Sequence, residues 1–289
     1  SKAIQHPNMD LINMQTVHTI QAVREFVNAA KQQGKKVGFV PTMGNLHAGH
    51  IHLIAQAKQQ ADVVICSIFV NPTQFGANED FGSYPRTLEA DSQQLQAAAC
   101  DLLFAPSAQE MYQNGFSQHT VVTVNGLSEQ LCGQFRPTHF AGVATVVSKL
   151  FNIVQADIAF FGEKDFQQLA VIRCLSQELA FPIEIVGVPT QRAEDGLALS
   201  SRNGYLSAEE RAKAPMIYQM LQQLKTAIDN GHRDYTMLCD AAMLHLQKSG
   251  FDPDYIALKR AIDLQDATTT DTDLVLLVAA RLGKTRLID

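Results

Sequence analysis

Two histidines stand three residues apart in Pro41-Thr42-Met43-Gly44-Asn45-Leu46-His47-Ala48-Gly49-His50, where an apolar run ends and a helical pattern begins. The preceding "KKVGFV" has the composition of a short buried strand. The following "IHLIAQAKQQ" is apolar at Ile51, Ile54 and Ala55, so the stretch reads as strand, glycine-containing loop, helix. Three readings of the pair stay open. It can be no more than the polar start of a helix. Residues three apart can share a metal ion, although no carboxylate or thiolate stands nearby to complete the shell. The third reading is a phosphate site at a helix N-terminus, where free N–H groups and the helix dipole attract anions. There Gly44 and Gly49 let backbone come close, and the imidazoles donate to oxygens that gain charge during phosphoryl or nucleotidyl transfer. The glycines do not form a Gly-x-x-x-x-Gly-Lys-Ser loop, so this is not a P-loop.

Three further polar clusters follow apolar runs. In "IFVNPTQFG", Asn71, Thr73 and Gln74 emerge where Pro72 stops a strand. Amides there can hold a hydroxyl- and carboxylate-bearing substrate without a competing charge, although the segment is also a good turn. In "FFGEKDFQQLAVIRC", Gly162, Glu163, Lys164 and Asp165 lead into a helix whose next polar positions are Gln167 and Gln168. Lys164 can reach a phosphate as a compact point charge, and Asp165 can equally cap the helix. In "DGLALSSRNGYL", Ser200, Ser201 and Arg202 bring two hydroxyls and a guanidinium between glycines, a set suited to gripping phosphates or to an ordinary surface loop.

The elements that must position these clusters alternate. Strand-like runs at "KKVGFV", "DVVICSIFV", "CDLLFAP", "ADIAFFG" and "PIEIVGV" are separated by helical patterns near 49–60, 87–99, 139–154 and 164–179. This predicts βαβ units, a mostly parallel sheet covered on both faces, and ligands at the carboxyl ends of its strands. "SQHTVVTVNGL" alternates with period two and predicts an antiparallel arm or edge. After about Val188 the pattern changes. "SAEERAKAPMIYQMLQQLKTAIDN" predicts one long amphipathic helix with a Ser207–Glu210 capping box, and "GHRDYTMLCDAAMLHLQKSG" a second ending at Gly250. "PDYIALKR" and "DLVLLVAARLGKTRLID" read as strands, completing a smaller α+β domain.

With 289 residues, 46% hydrophobic and 18% charged, the chain can bury one large or two modest cores. A net charge of −6 argues against nucleic acid held through its phosphates. No apolar run approaches the roughly 18 residues of a membrane span, and "SKAIQHPNMD" lacks the apolar core of a secretion signal. Five scattered cysteines without a Cys-x-x-Cys pair point to free thiols and the reducing cytoplasm.

"PTMGNLHAGH", "FVNPTQFG", "YPRT", "GEKDFQQL" and "GLALSSRN", in this order and spacing, closely resemble the pantoate–β-alanine ligases. The resemblance implies an α/β fold, with a Rossmann-like ATP- and pantoate-binding domain at 1–188 and a smaller C-terminal α+β lid domain at 189–289. It implies ATP-dependent condensation of pantoate with β-alanine through a pantoyl adenylate, with Mg2+, and a homodimer. By residue, it implies that His47, His50 and the backbone of Met43–His50 bind the ATP phosphates, with His50 as proton donor. Gly162, Glu163, Lys164 and Asp165 would line the nucleotide, and backbone at Gln191 would contact adenine. Leu199, Ser200, Ser201 and Arg202 would clamp the phosphates, Leu199 replacing a methionine frequent in the family. Gln74 and Gln168 would hold pantoate, with Gln74 also near β-alanine. Asp91, with Gln94 nearby, is the candidate for magnesium; an acidic residue in a helix's first turn also simply suits the dipole. Arg136 and His139 in "RPTHFAGV" are expected near the site mouth, without a role. The alternatives are a nucleotidylyltransferase, a tRNA-charging fragment, and a non-catalytic nucleotide sensor that would not need Gln74 and Gln168.

Overall fold

The protein is described from a computed structural model covering residues 13–289, so the expectation about a secretion signal lies outside the described residues. The first unit contains β1 (Gln15–Val17), α1 (Ile20–Gln32), β2 (Val37–Thr42), α2 (Ala48–Gln60), β3 (Val63–Ile68), α3 (Leu88–Ala97), β4 (Leu102–Phe104), α4 (Ala108–Met111) and α5 (Cys132–Phe135). It continues through α6 (His139–Val154), β5 (Ile158–Gly162), α7 (Phe166–Glu178) and β6 (Glu184–Val188). Its six strands lie in the order β1-β4-β3-β2-β5-β6, and every neighbouring pair is parallel.

Both faces of this sheet are buried, which is why its strands are apolar runs rather than alternations. Phe39, Ile65, Leu102, Phe104 and Ala159 face the α1, α6 and α7 side, while Val40, Val64, Cys66, Leu103, Ile158 and Phe160 face α2 and α3. Thr19 caps α1, its hydroxyl accepting from the Ala22 N–H at 3.2 Å. Strands leave β2 in opposite directions, β3 on one side and β5 on the other. The carboxyl ends of β2 and β5 therefore flank the switch point of the sheet, where such folds leave a crevice.

The second unit holds α8 (Ala208–Lys213), α9 (Met216–Asp229), α10 (Tyr235–Lys248) and the antiparallel strands β7 (Asp252–Arg260), β8 (Leu274–Leu282) and β9 (Thr285–Ile288). Leu221, Leu224, Leu246, Val278 and Leu287 belong to its separate core. The Ser207–Glu210 capping box is present, and Gly250 follows α10 with φ +95°. Two expectations are corrected. The single long helix is broken into α8 and α9, because Pro215 offers no N–H to continue the ladder. The period-two segment forms no strand: the Val122 N–H donates instead to Thr145 Oγ1 on α6 at 2.8 Å, and Val124 is buried in the core. No helix among the described residues is long and apolar enough to cross a membrane. All five cysteines are free, Cys66, Cys100 and Cys132 being buried.

Phe39 is fully buried in the sheet, whereas Ile262 is 79% exposed. Phe39→Ala is expected to cost about 3–5 kcal/mol, mostly through the cavity it leaves. Ile262→Ala should stay within about 0.5 kcal/mol of the parent. Denaturant midpoints at unchanged m-value check both.

Candidate functional site

The β2–α2 loop lies at the switch point, and its conformation is set by its own backbone polarity. The carboxylate of Asp91 on α3 accepts from Asn45 N–H and Leu46 N–H, each at 2.9 Å, and from the Thr87 hydroxyl at 3.0 Å. Gln94 Nε2 donates to the Leu46 carbonyl at 3.3 Å, and Gly44 N–H donates to Thr42 Oγ1 at 3.1 Å. Gly44 has φ +81°, and a Cβ there would stand 3.0 Å from Ile68 and 3.2 Å from Asp91. Asp91 is 1% exposed and does not line the cleft. Its carboxylate organises the loop through those three hydrogen bonds, and Gln94, the other residue named for magnesium, holds the Leu46 carbonyl beside it.

The two histidines cap α2 reciprocally. His47 Nδ1 accepts from Gly49 N–H at 3.0 Å, and His50 Nδ1 accepts from His47 N–H at 3.1 Å. Gly49 is required because a Cβ would lie 2.8 Å from the His47 ring. An accepting Nδ1 carries no proton, so each neutral ring carries its proton on Nε2. Burial lowers the pKa of His47 to about 4, helped by Lys164, and that of His50 to about 3, helped by His47 and Lys164. Both rings are therefore neutral donors at pH 7. The N–H groups of Gly44, Asn45, Leu46, His47 and Gly49 are occupied by the protein itself, and those of Met43 and Ala48 have no partner among the described residues.

Across the cleft, a 3-10 turn over Pro72–Gln74 places Gln74, which is 7% exposed. Asn71 Nδ2 donates to Gln74 Oε1 at 3.2 Å and to the Gly142 carbonyl at 3.1 Å, and Tyr112 Oη donates to Asn71 Oδ1 at 2.9 Å. With Oε1 occupied, the Gln74 amide N–H groups remain for a ligand. Helix α6 approaches so closely that a Cβ on Gly142 would meet the Thr73 carbonyl at 2.6 Å. His139 bonds through Nδ1 to the Gln74 carbonyl at 3.0 Å, which puts its proton on Nδ1 and leaves Nε2 facing Arg136 Nη1 at 3.4 Å. Its pKa is lowered to about 4, by burial first and Arg136 second. Arg136 pairs with Glu79. This Glu79–Arg136–His139 chain supports Gln74, a role the sequence did not reveal.

The cleft is about 970 Å³. It brings together Met43, His47, Gly49, His50, Gln74, Gly162, Lys164, Asp165, Gln168, Gln191, Leu199, Ser200, Ser201 and Arg202. Gly44, Asn45, Leu46, Ala48 and Glu163 stand outside its lining. Gln167, beside Gln168, is turned away: its amide holds the Leu127 and Gln130 carbonyls and the Cys132 N–H. Ser201 Oγ donates to the Asn45 carbonyl at 3.0 Å, and Asn45 Nδ2 returns a bond to the Ser201 carbonyl at 3.1 Å, so the phosphate-type loops clasp each other. Ser200 Oγ accepts from Arg202 N–H at 3.2 Å. Arg202 makes a two-pronged pair with Asp80, both contacts 3.1 Å, over the Tyr84 ring. The guanidinium holds the Asp80 carboxyl below its usual range despite burial. Asp80, Glu79, Tyr84 and the basic residues Arg281, Lys284 and Arg286 were missed by sequence reasoning, because only long-range folding brings them here. The arrangement offers neutral N–H donors, fixed cations and amides around a single cavity, a combination suited to phosphoryl oxygens beside a small polar acid.

A family model described as pantoate-beta-alanine ligase matches residues 15–289. The pantothenate synthetase of Ectopseudomonas mendocina (strain ymp) is 59% identical over 276 residues, covering 96% of this chain and 97% of its own. That of Pseudomonas putida (strain W619) is 58% identical, covering 96% of each. Among solved structures, a pantothenate synthetase of Thermus thermophilus matches with TM-score 0.89 at 45% identity, over 96% of this chain and 98% of that one. The pantoate-beta-alanine ligase of Francisella tularensis, solved with beta-gamma ATP and beta-alanine, matches with TM-score 0.81 at 35% identity over 96% of each. Matched along nearly its whole length at these identities, the chain belongs to the pantoate–β-alanine ligase family.

Proposed function

We propose that this chain condenses pantoate with β-alanine using ATP. In the first step a pantoate carboxylate oxygen attacks the α-phosphorus, and the bond to the β-phosphate breaks, releasing pyrophosphate. In the second the β-alanine amine attacks the carbonyl of pantoyl adenylate, the bond to AMP breaks, and the amine loses a proton. Adenylation replaces a hopeless leaving group with a good one, and an enclosed anhydride is kept from water.

The observation that carries this reading is the pair of imidazoles held neutral with Nε2–H free, in one cleft with Lys164 and Arg202. Such donors stabilise phosphoryl oxygens as charge develops. In the proposal His47 and His50 donate to phosphate oxygens from Nε2. Lys164, Ser200, Ser201 and Arg202 grip the phosphates, with Met43, Gly49, Gly162, Asp165, Leu199 and backbone at Gln191 lining the nucleotide. Gln74 and Gln168 hold pantoate, and Gln74 adjoins β-alanine. Magnesium would arrive on the nucleotide, and no protein ligand is assigned to it. The proposal divides the chain at 188/189, with 189–289 acting as a lid, and includes a homodimer working in the cytoplasm.

Pyrophosphate release tests the reading. With ATP, magnesium and pantoate but no β-alanine, a burst of about one equivalent per site is expected, and sustained release with AMP and pantothenate once β-alanine is added. Release indifferent to pantoate would sink the ligase assignment, and nucleotide binding without any release would favour a sensor.

The buried histidines set a pH dependence. Their folded pKa values lie below the unfolded value of 6.5, so between pH 6.5 and about 4 the unfolded chain binds more protons. Stability present above pH 6.5 is lost as pH falls, by up to about 1.4 kcal/mol per pH unit for each histidine. His139→Gln should flatten that slope in urea titrations at pH 7, 6 and 5; an unchanged slope would contradict the assignment. For Asp91→Asn the expected result is a several-fold higher KM for ATP with an unchanged magnesium midpoint. A shifted magnesium midpoint would instead assign magnesium to Asp91.

A further inference from the structure

The cleft is lined by cations from both units, and they differ in what already holds them. Arg136 is paired with Glu79, Arg202 with Asp80 and Arg286 with Asp254, while Lys164 lies 4.0 Å from Asp165. Arg281 and Lys284 line the same cleft and, among the described residues, make no ion pair. Both belong to the β8–β9 hairpin, whose turn is Gly283–Lys284. Asp252 stands opposite Arg281 in the β7–β8 register without pairing with it, and on the other side Arg281 stands directly opposite Arg286. Arg286 already has its counter-ion in Asp254, so of this cross-strand pair Arg281 is the one without a carboxylate partner.

The hairpin is held firmly. Leu282, Thr285 and Leu287 are buried, and at the exposed Gly283, φ +61°, the Glu210 carboxylate lies over the turn. Glu210 Oε1 accepts from Ser207 N–H in the α8 cap. Strand β9 packs on the Ser201–Tyr205 turn that carries Arg202. Asp289, directly after β9, takes both prongs of Arg192, just beyond the cleft residue Gln191. The basic face of the hairpin is thus fixed beside the Ser200–Arg202 loop.

We propose that the β8–β9 hairpin is a second cationic jaw of the site, with Arg281 and Lys284 binding the polyphosphate tail of the nucleotide and the departing pyrophosphate. This rests on the ATP-dependent reading above. A cation already paired must exchange a carboxylate for a phosphate, whereas these two offer unexchanged charge. The selectivity follows from charge: a polyphosphate repays two free cations, while a monovalent carboxylate held by glutamine amides gains little from them.

Calorimetric binding of ATP, pyrophosphate and adenosine to the full chain tests this apart from turnover. The double variant Arg281→Ala/Lys284→Ala, altered only at exposed side chains, is expected to bind ATP and pyrophosphate about tenfold more weakly, equal to about 1.4 kcal/mol. Its adenosine affinity and its KM for pantoate should not change, and the charge-preserving Arg281→Lys/Lys284→Arg should bind both polyphosphates as the parent does. ATP and pyrophosphate affinities unchanged in the alanine variant would overturn the proposal, as would equal losses for adenosine. A parent that binds pyrophosphate through this hairpin yet makes no pantothenate would leave the jaw standing and remove the ligase reading. A parent that ligates, with an alanine variant of full ATP affinity, would remove the jaw alone.

Discussion

A half-buried loop must satisfy most of its own backbone, and in this protein that constraint shapes the site. The segment after β2 turns inward at the switch point of the sheet, where unpaired N–H groups would be costly. Asp91, Thr42 and the Nδ1 atoms of His47 and His50 take up those groups in turn. Once each Nδ1 is an acceptor, the tautomer of each ring is no longer free: the remaining proton sits on Nε2, and burial keeps the rings neutral. The hydrogen bonds that close the loop are thus the ones that prepare its chemistry. Gly44 and Gly49 serve the same closure, one by a left-handed φ and the other by making room for an imidazole.

The rest of the site is tied to that loop by reciprocal contacts. Asn45 and Ser201 exchange hydrogen bonds, so the β2–α2 loop and the 200–202 segment hold each other in register. Asp80 fixes the Arg202 guanidinium from above, and β9 supports the same turn from the second unit. On the opposite wall, Asn71 and His139 orient Gln74 through its side chain and its carbonyl. A cleft assembled this way has little rotamer freedom left to lose when a ligand arrives, which favours binding.

Local patterns made much of this visible in the sequence. The apolar runs beginning at Val37, Val63 and Ile158 and the helices starting near Ala48 and His139 lie close to where periodicity puts them, because strands buried on both faces and amphipathic helices write their environment into nearby residues. The polar clusters at the strand ends converge for the topological reason that parallel strands end on one side. Contacts between distant segments were not legible. Asp91 looks like any acid in the first turn of a helix, and only its distances to Asn45 and Leu46 reveal its role. His139 is separated from Gln74 by 65 positions, and Arg281 from Arg202 by more, so neither could be assigned from neighbours in the chain. The period-two run around Val122 misled for a related reason: a helix side chain, Thr145, took the hydrogen bond that a strand would have claimed.

The most direct test of the central claim is the protonation of the two ring systems. Nitrogen-15 NMR of the imidazoles in the full chain at pH 6, assigned by His47→Gln and His50→Gln spectra, reads each nitrogen separately. Both residues are expected to be neutral, with Nδ1 unprotonated and Nε2 protonated, even though free histidine titrates near that pH. A proton on either Nδ1, or imidazolium signals titrating near pH 6.5, would contradict it and take from the site the donors on which the proposed chemistry depends.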